Sequence, residues 1–136
     1  MGAERQVMQD YLGALAKRAD FPRYFTDDVV VTFEGTDQRA EGREGAGLLI
    51  RHVHQVAFDA RMELKNLLVD EGMGDEGKAA IEADFVGIHS GEFSGIPATG
   101  RTVRIPYSVV YDLRGDHISA VRIYFPMNLL IEQLLD

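Results

Sequence analysis

The sequence predicts an α+β fold in which helices pack against one face of a strongly curved antiparallel sheet. Apolar residues recur at helical spacing over the first part of the chain, and their period changes to two from residue 58 onward. Turn signals then separate long alternating segments, which favours strands that follow one another as antiparallel neighbours. Each of these strands has one apolar face, as expected for a sheet that helices cover on one side.

Length and composition fit a single domain over residues 1–136. The 136 residues are 46% hydrophobic, enough to bury a core without disulfides or metal. The chain has no cysteine, which excludes thiolate chemistry and fits the cytoplasm. Its net charge of −8 argues against nucleic acid or an anionic membrane as a partner, because both are bound through clustered Lys and Arg. No segment has the length and apolarity of a membrane span, and the first residues lack the apolar core of a signal peptide, so we expect a cytoplasmic protein.

Helices are predicted near the N-terminus, in the middle of the chain and at its end. Residues 3–19 and 43–57 place apolar side chains three and four apart, which predicts two amphipathic helices. Residues 20–25 predict a short helical turn with Pro22 near its start. Residues 35–41 are polar and predict a loop, and residues 129–135 predict a short terminal helix.

Five strands are predicted between and after these helices. Residues 28–33 form a β-branched run, and alternating segments follow over 58–68, 79–89, 101–113 and 118–125. In the segment 58–68, Leu64 and Leu68 are an even number of residues from Phe58, so the pattern predicts that all three side chains lie on the same face of the strand. Glycine-containing turns at 72–77 and 114–116 join the long strands. A curved sheet closed by helices leaves a cone, which is a natural pocket for a small molecule.

The segment 87–101, Gly-Ile-His-Ser-Gly-Glu-Phe-Ser-Gly-Ile-Pro-Ala-Thr-Gly-Arg, resembles the signature loop of the SnoaL-like polyketide cyclases. This family belongs to the nuclear-transport-factor-two-like superfamily, which includes ketosteroid isomerase. Supporting matches at 24–30, 41–42 and 132–134 extend the resemblance over nearly the whole chain. The resemblance implies a cone-shaped α+β barrel, usually a homodimer, and an aldol ring closure without metal or organic cofactor.

One position departs from the family pattern. The cyclases resembled here use an acidic residue at the end of the last long strand, and the corresponding residue in this chain is Pro126. The predicted function is therefore binding or conversion of an apolar carbonyl compound, by aldol cyclisation or isomerisation, with no cofactor. The alternative is a non-catalytic ligand-binding or dimerisation module of the same fold.

His89 and Arg122 are the candidate catalytic residues. His89 ends a strand on the apolar parity, where it could be a general base or could hold the following loop in place. Arg122 lies among apolar residues, where a guanidinium needs a carboxylate or an anionic ligand. The family register turns Arg122 into the pocket. Hydrophobicity alone turns Val121 and Ile123 inward and leaves Arg122 outside, in a salt bridge or a dimer contact.

Aromatic residues on the apolar faces, and one on the pocket-facing parity of the family register, are the candidate ligand-binding residues. A tyrosine hydroxyl in an apolar pocket could polarise a carbonyl group, or it could belong to an ordinary core residue. The predicted ligand-binding residues are Tyr11, Phe85, Tyr107, Tyr111 and Tyr124. His52 and His54 are two residues apart on a predicted helix and so do not share a face, and no other metal-ligand spacing occurs, so no metal is predicted.

Overall fold

The computed structural model describes residues 3–72 and 76–135. Within them, a 3-10 turn at Phe21–Tyr24 precedes the first strand, and a π-helical turn at His52–Ala57 (the π turn) joins the second α-helix to the third strand. None of the helices in these two ranges is both long enough and apolar enough to cross a membrane. The elements are α1 (Ala3–Ala16), β1 (Phe25–Phe33), β2 (Arg39–Glu41), α2 (Arg43–Arg51), β3 (Phe58–Asp70), β4 (Glu76–His89), β5 (Thr102–Arg114), β6 (His117–Tyr124) and α3 (Met127–Leu135).

The six strands form one sheet in the order β2-β1-β6-β5-β4-β3. The strands β3 to β6 follow one another as antiparallel neighbours, and β2 pairs with β1 in the same way. The first strand joins the sheet beside β6, and this pair is parallel. The predicted α+β architecture is therefore confirmed, and the sheet contains one parallel pair that joins the two ends of the chain.

The predicted loop over 35–41 is wrong at its C-terminal end, where residues Arg39–Glu41 form β2. Thr32 lies opposite Arg39 and Val30 opposite Glu41 in the antiparallel pair with β1. A three-residue edge strand is held by backbone hydrogen bonds, and its exposed side chains carry no alternating pattern. The turn predicted over 114–116 is confirmed, with Gly115 at a φ of 61°. The predicted turn at 72–77 includes residues 73–75, which lie outside the described residues.

A bulge in β3 changes which side chains face the helices. The pairing of β3 with β4 shifts register between Leu64 and Asn66, so an extra residue reverses the parity of the rest of the strand. Leu67 and Val69 consequently pack on the core, and Leu68 is 63% exposed. The prediction that Leu68 shares the face of Phe58 is therefore wrong, because a backbone bulge interrupts the period of two.

Gly87 lies opposite Ala60 where β4 pairs closely with β3. A Cβ atom at Gly87 would come within 2.6 Å of the Ala60 Cβ atom and 2.8 Å of the Asp59 carbonyl oxygen. Only glycine permits this close approach of the two backbones.

Two packed clusters fill the space between the sheet and the helices. One is formed by α1, β1 and the central strands, with Met8, Phe21 and Phe25 fully buried. The other is formed by the beginning of β3, the middle of β4 and α3, with Phe58 and Leu130 at its centre. Four partly buried residues pack against both clusters, so the two clusters meet along them: Val53, Tyr107, Phe125 and Met127.

Candidate functional site

A cavity of about 450 Å³ opens at the junction of the two clusters. This volume is within the usual range for small-molecule sites. Its walls are mainly aromatic and aliphatic, and they come from α2, the π turn, the concave face of the sheet and α3. The apolar lining residues are Phe33, Leu49, Ile50, Val53, Phe58, Phe85, Phe93, Ile123, Phe125, Met127 and Leu130.

Polar groups occupy two parts of the cavity wall. Within the apolar wall, His54 and Tyr107 flank Phe85, with ring centroids 5.5 Å and 6.4 Å from the centroid of Phe85. Burial raises the pKa of the Tyr107 phenol well above its usual range, so the hydroxyl remains a hydrogen-bond donor at neutral pH. The exposed rim carries a second group of polar residues, namely Thr36, Asp37, Gln38, His52, Glu92 and Ser94.

The His54 imidazole is held in one orientation by its own helix. Its Nδ1 atom lies 2.9 Å from the Ile50 carbonyl oxygen, one turn earlier in the chain. A carbonyl oxygen only accepts hydrogen bonds, so Nδ1 carries the proton and the neutral ring presents a lone pair at Nε2. Burial lowers the pKa of His54, which keeps the ring neutral at pH 7. Nε2 is buried, and no described residue is its hydrogen-bond partner.

Arg18 fixes the backbone around His54 from outside the cavity. Arg18 has a left-handed φ of 56°, which ends α1 and turns its side chain toward β3. Its guanidinium donates to the Ala60 carbonyl oxygen at 3.2 Å, pairs with the Asp59 carboxylate and reaches the His54 carbonyl oxygen at 3.5 Å. The cation thereby ties the end of α1 to both sides of the turn that carries His54.

His89 is fully buried at the end of β4, against the Phe58 ring. The Thr99 backbone N–H donates to its Nδ1 atom at 3.2 Å, and the Thr99 hydroxyl lies 2.9 Å from the same nitrogen. The backbone of His89 also bonds to Gly100 and Arg101. The structure therefore places His89 as an anchor of the glycine-rich loop of residues 90–101, outside the set of residues that line the cavity.

Arg122 lies on the convex face of the sheet. Both of its terminal nitrogens donate to Asp112 on the neighbouring strand, at 2.9 Å and 3.0 Å. Val121 and Ile123 are buried on the opposite face, as hydrophobicity alone predicts. The guanidinium thus has a carboxylate partner in its own sheet, and it does not line the cavity.

The five predicted ligand-binding residues separate into three locations. Phe85 and Tyr107 line the cavity. Tyr11 and Tyr111 lie in the packed cluster beneath α1, with ring centroids 5.9 Å apart, and burial raises the pKa of both phenols. Tyr124 is 49% exposed on the convex face beside β5. The structure therefore brings two of the five together at the cavity.

Sequence reasoning missed His54 as a cavity residue because it compared His54 only with His52. The available signal was the helical period. His54 follows the buried Ile50 by four residues and Ala46 by eight, so it falls on the inward face of the helix. A polar residue on a buried helical face is the informative exception to hydrophobic patterning.

Pro126 directly precedes the terminal helix, between the cavity-lining residues Phe125 and Met127. Its carbonyl oxygen accepts hydrogen bonds from the Leu129 and Leu130 N–H groups at 3.0 Å and 3.2 Å. α3 therefore starts at Met127, two residues before the predicted start. Within the two described ranges, no three His, Asp or Glu side chains lie close enough together to hold a metal ion.

Solved structures with low sequence identity share this fold. A structure from Jannaschia sp. CCS1, assigned as a SnoaL-like polyketide cyclase, is 18% identical, with a TM-score of 0.83 over 97% of this chain and 91% of that chain. TsrD from Streptomyces laurentii is 22% identical, with a TM-score of 0.75 over 98% and 96% of the two chains. An LEH-like epoxide hydrolase from M. tuberculosis is 19% identical, with a TM-score of 0.70 over 98% and 89%.

No curated protein matches the sequence at a significant level. The family model described as SnoaL-like polyketide cyclase matches residues 5–134. This range includes every described helix and strand except the start of α1 and the last residue of α3. The expected resemblance is thus confirmed by a match over nearly the whole chain. The chain belongs to the SnoaL-like polyketide cyclase family.

Proposed function

We propose that this protein binds a largely apolar carbonyl compound in the cavity and catalyses proton transfer next to the carbonyl group without a cofactor. The observation that supports this proposal is the composition of the cavity wall. Aromatic and aliphatic side chains surround one neutral imidazole and one protonated phenol, the groups of His54 and Tyr107. An apolar ligand with a single hydrogen-bond acceptor matches such a wall.

The chemistry favoured by this wall is formation of an enol or enolate. A phenol that donates to the carbonyl oxygen stabilises the negative charge that develops when a neighbouring carbon loses its proton. The surrounding apolar side chains strengthen that interaction because they exclude water. An enolate formed in this way can take back a proton at another carbon, or attack a second carbonyl group, which corresponds to isomerisation or aldol cyclisation.

Family membership supports a small-molecule function of this type. The similar structures carry the names of polyketide cyclases, an epoxide hydrolase and a hydroxylase, all of them proteins that act on small organic molecules. Their low sequence identities support the shared fold and leave the substrate of this chain to be identified.

A second candidate function is ligand binding without catalysis. Two observations favour it: Pro126 stands at the position where the resembled cyclases have an acid, and Arg122 is already paired with Asp112 on the convex face. In this case the cavity would be a binding site only.

A thermal-shift measurement with 2-tetralone tests the binding step. This ketone has two fused rings and one carbonyl group, and tetralin is the matched hydrocarbon without the carbonyl. We expect 2-tetralone at 100 times its Kd to add about 2.7 kcal/mol of stability, which raises Tm by several degrees. Equal shifts with tetralin, or no shift with either compound, would contradict the proposed ligand class.

A pair of valines in the π turn provides a matched control. Val53 lines the cavity and Val56 is 57% exposed on the same turn. We expect Val53→Phe to fill the cavity and abolish the 2-tetralone shift, and we expect Val56→Phe to leave it unchanged. Loss of the shift in both variants would show that the turn, and not the cavity, is what the substitution disturbs.

Exchange of the α-protons of 2-tetralone in D₂O separates catalysis from binding. General base catalysis contributes about 10²- to 10⁴-fold in rate, so the protein should accelerate the exchange by at least that lower factor over buffer, as followed by proton NMR. Binding with an unchanged exchange rate would instead support the second candidate.

The proposal also includes a homodimer in the cytoplasm. Exposed apolar side chains on the convex face, such as Leu68, Ile88 and Tyr124, support an assembly through this face. The absence of cysteine is consistent with a reducing compartment. Light scattering at micromolar concentration should give twice the chain mass of 15.1 kDa, and a monomer mass would contradict the dimer.

A further inference from the structure

We infer that His54 is the general base of the cavity and that its Nε2 atom removes the proton next to the ligand's carbonyl group. This inference rests on the proposed function and assigns its proton-transfer step to one atom. It starts from a buried imidazole in the cavity wall whose Nε2 has no hydrogen-bond partner among the described residues. An unsatisfied buried polar atom in a native fold calls for an explanation, and an incoming ligand supplies one.

The hydrogen bond to Ile50 makes His54 competent as a base. The proton held at Nδ1 by the Ile50 carbonyl oxygen leaves the lone pair at Nε2. The same bond stabilises the imidazolium that forms when Nε2 accepts a proton, because a charged donor strengthens a hydrogen bond. A backbone carbonyl thus takes the orienting role that a carboxylate takes beside other basic histidines.

His89 does not offer the same chemistry. Its Nδ1 lone pair accepts the Thr99 backbone N–H, so the neutral ring carries its proton at Nε2. Protonation at Nδ1 would break the bond that holds the glycine-rich loop. Of the two histidines with a buried, unpartnered Nε2 in the described part of the chain, His54 is the one with a lone pair at that atom and with its ring in the cavity wall.

The local helix geometry places the ring. His54 lies in the π turn, where the wider winding interrupts the regular helix between α2 and β3. Such π turns occur frequently at functional sites. Phe85 contacts the imidazole edge-on at 5.5 Å, and Arg18 holds the backbone at 3.5 Å from outside. Phe85 thus contacts the ring and Arg18 holds the backbone that carries it, which gives the positioning that a general base requires.

The charged and titratable groups around His54 keep the base neutral. Arg18, from the end of α1, disfavours the imidazolium, and Asp59 at the start of β3 pairs with that cation. Tyr107, from β5, packs edge-to-face with Phe85 at a centroid distance of 6.4 Å and stays protonated. His52 is exposed at the rim. Burial and Arg18 act in the same direction, so the resting ring carries no charge at neutral pH.

The step balances without a further reagent. The bond between the α-carbon and its hydrogen breaks, the proton moves to Nε2, and the electron pair forms a carbon–carbon double bond. The π electrons of the carbonyl group move to its oxygen, which accepts a hydrogen bond from the Tyr107 hydroxyl. The imidazolium then returns the proton to carbon, or to the alkoxide formed when the enolate carbon attacks a second carbonyl group.

The test compares His54→Gln with His117→Gln, since His117 begins β6 beside Asp116 and does not line the cavity. We expect His54→Gln to slow the α-proton exchange of 2-tetralone in D₂O at least 100-fold while the thermal shift is kept. His117→Gln should exchange within about twofold of the native rate. A native exchange rate in His54→Gln overturns the inference. The native protein would overturn it as well if it bound 2-tetralone without exchanging it, whereas a failure to bind 2-tetralone would contradict the proposed function itself.

The pH profile provides a signature that a structural role would not produce. Exchange by the native protein should be independent of pH above about 6.5 and should fall only at pH values below those of an ordinary imidazole, because burial lowers the pKa of His54. A rate that keeps rising with pH above 7 would indicate hydroxide, and not His54, as the base.

A second readout applies if His54→Gln fails to fold or to bind. Nitrogen-15 NMR of histidine-labelled native protein reports which ring nitrogen carries the proton. We expect His54 to be protonated at Nδ1, and we expect 2-naphthol, a stable analogue of the enol of 2-tetralone, to shift its Nε2 resonance. A proton resident at Nε2 in the free protein, or an Nε2 resonance unmoved by 2-naphthol, overturns the inference.

Discussion

Two histidines in the described part of the chain have a buried Nε2 atom, and their rings use Nδ1 in opposite ways. His54 donates from Nδ1 to the Ile50 carbonyl oxygen, whereas His89 accepts at Nδ1 from the Thr99 N–H. The tautomers are therefore opposite, and so are the consequences of adding a proton. His54 can accept one at Nε2 without losing its anchor, and His89 loses its bond to the loop.

Substitution of His89 should affect stability before it affects chemistry. His89→Leu leaves the Thr99 N–H without its acceptor, which costs about 1–3 kcal/mol. His89→Asn keeps a hydrogen-bond acceptor near the position of Nδ1 and should lose less of the free energy of unfolding than His89→Leu. Urea unfolding of the two variants measures the difference. If both variants kept native stability and lost α-proton exchange, His89 would be the base that the sequence suggested.

The Asp112–Arg122 pair should stabilise the sheet fully above pH 4 and progressively less as the pH falls below that value. The bidentate bond to Arg122 lowers the pKa of Asp112 to about 2. Because the folded pKa lies below the unfolded value, this stability is fully present above pH 4 and is lost as the pH falls toward 2. Asp112→Asn should remove about 1 kcal/mol at pH 7 and flatten the decline between pH 4 and pH 2 in urea titrations.

Asp27→Asn is the matched control for that pair. The Asp27 carboxylate is 92% exposed where it meets Arg43. An exposed pair of this kind contributes little, so the control should unfold like the native protein at each pH. An equal loss of stability in Asp112→Asn and Asp27→Asn would mean that the change in net charge, and not the geometry of the Asp112–Arg122 pair, determines the effect.

At the scale of the elements, the long strands depend on one close approach. β4 pairs with β3 at Gly87, where the close approach leaves no room for a side chain. Gly87→Ala should cost about 1–3 kcal/mol, since the added methyl forces the strands apart. Gly13→Ala on α1 is the control, because a Cβ atom there meets nothing within 4 Å, and it should stabilise the helix by about 0.5–1 kcal/mol. In thermal unfolding, the Tm should therefore fall in Gly87→Ala and rise in Gly13→Ala.

Among the elements, some could be predicted from the sequence and others could not. Helices and long strands follow from the spacing of apolar side chains, so the order of these elements was predictable. The bulge after Leu64, the short strand β2 and the π turn are backbone features, and no regular side-chain pattern announces them. The inward position of His54 was readable from the helical period, whereas its unpartnered Nε2 atom becomes visible only with the fold.

The position of Arg122 illustrates a conflict that the fold resolves. The register of the resembled family placed Arg122 on the pocket face of the sheet, whereas hydrophobicity placed it on the outer face. The residue that decides between these positions is its partner Asp112, which lies on another strand. Long-range pairing of this kind cannot be read from local periodicity. The sequence also indicated the apolar wall, through Phe85 and Tyr107, because β4 and β5 alternate regularly.

At the scale of the whole molecule, the chain is acidic and its apolar cavity has acidic residues at the entrance. The chain carries a net charge of −8, and two acidic residues, Asp37 and Glu92, lie at the rim. An anionic ligand would be repelled at the entrance and would lose hydration inside. Neutral ligands are therefore favoured.

A charge comparison tests this selectivity. 2-Naphthoate should bind at least tenfold more weakly than 2-naphthol at low ionic strength, because it carries a carboxylate on the same ring system. The difference should narrow with added salt, which screens the rim charges. Isothermal titration at two salt concentrations provides the comparison. Equal affinities at low salt would contradict a repulsive entrance.

The cavity lies where the two packed clusters meet, so a bound ligand would touch both. The ligand would then be a missing piece of the core, and the folded population would rise with its concentration. Since cells degrade the unfolded fraction, small changes in stability alter protein abundance. The amount of this protein in a cell would thereby follow the supply of its own ligand, without any dedicated regulator.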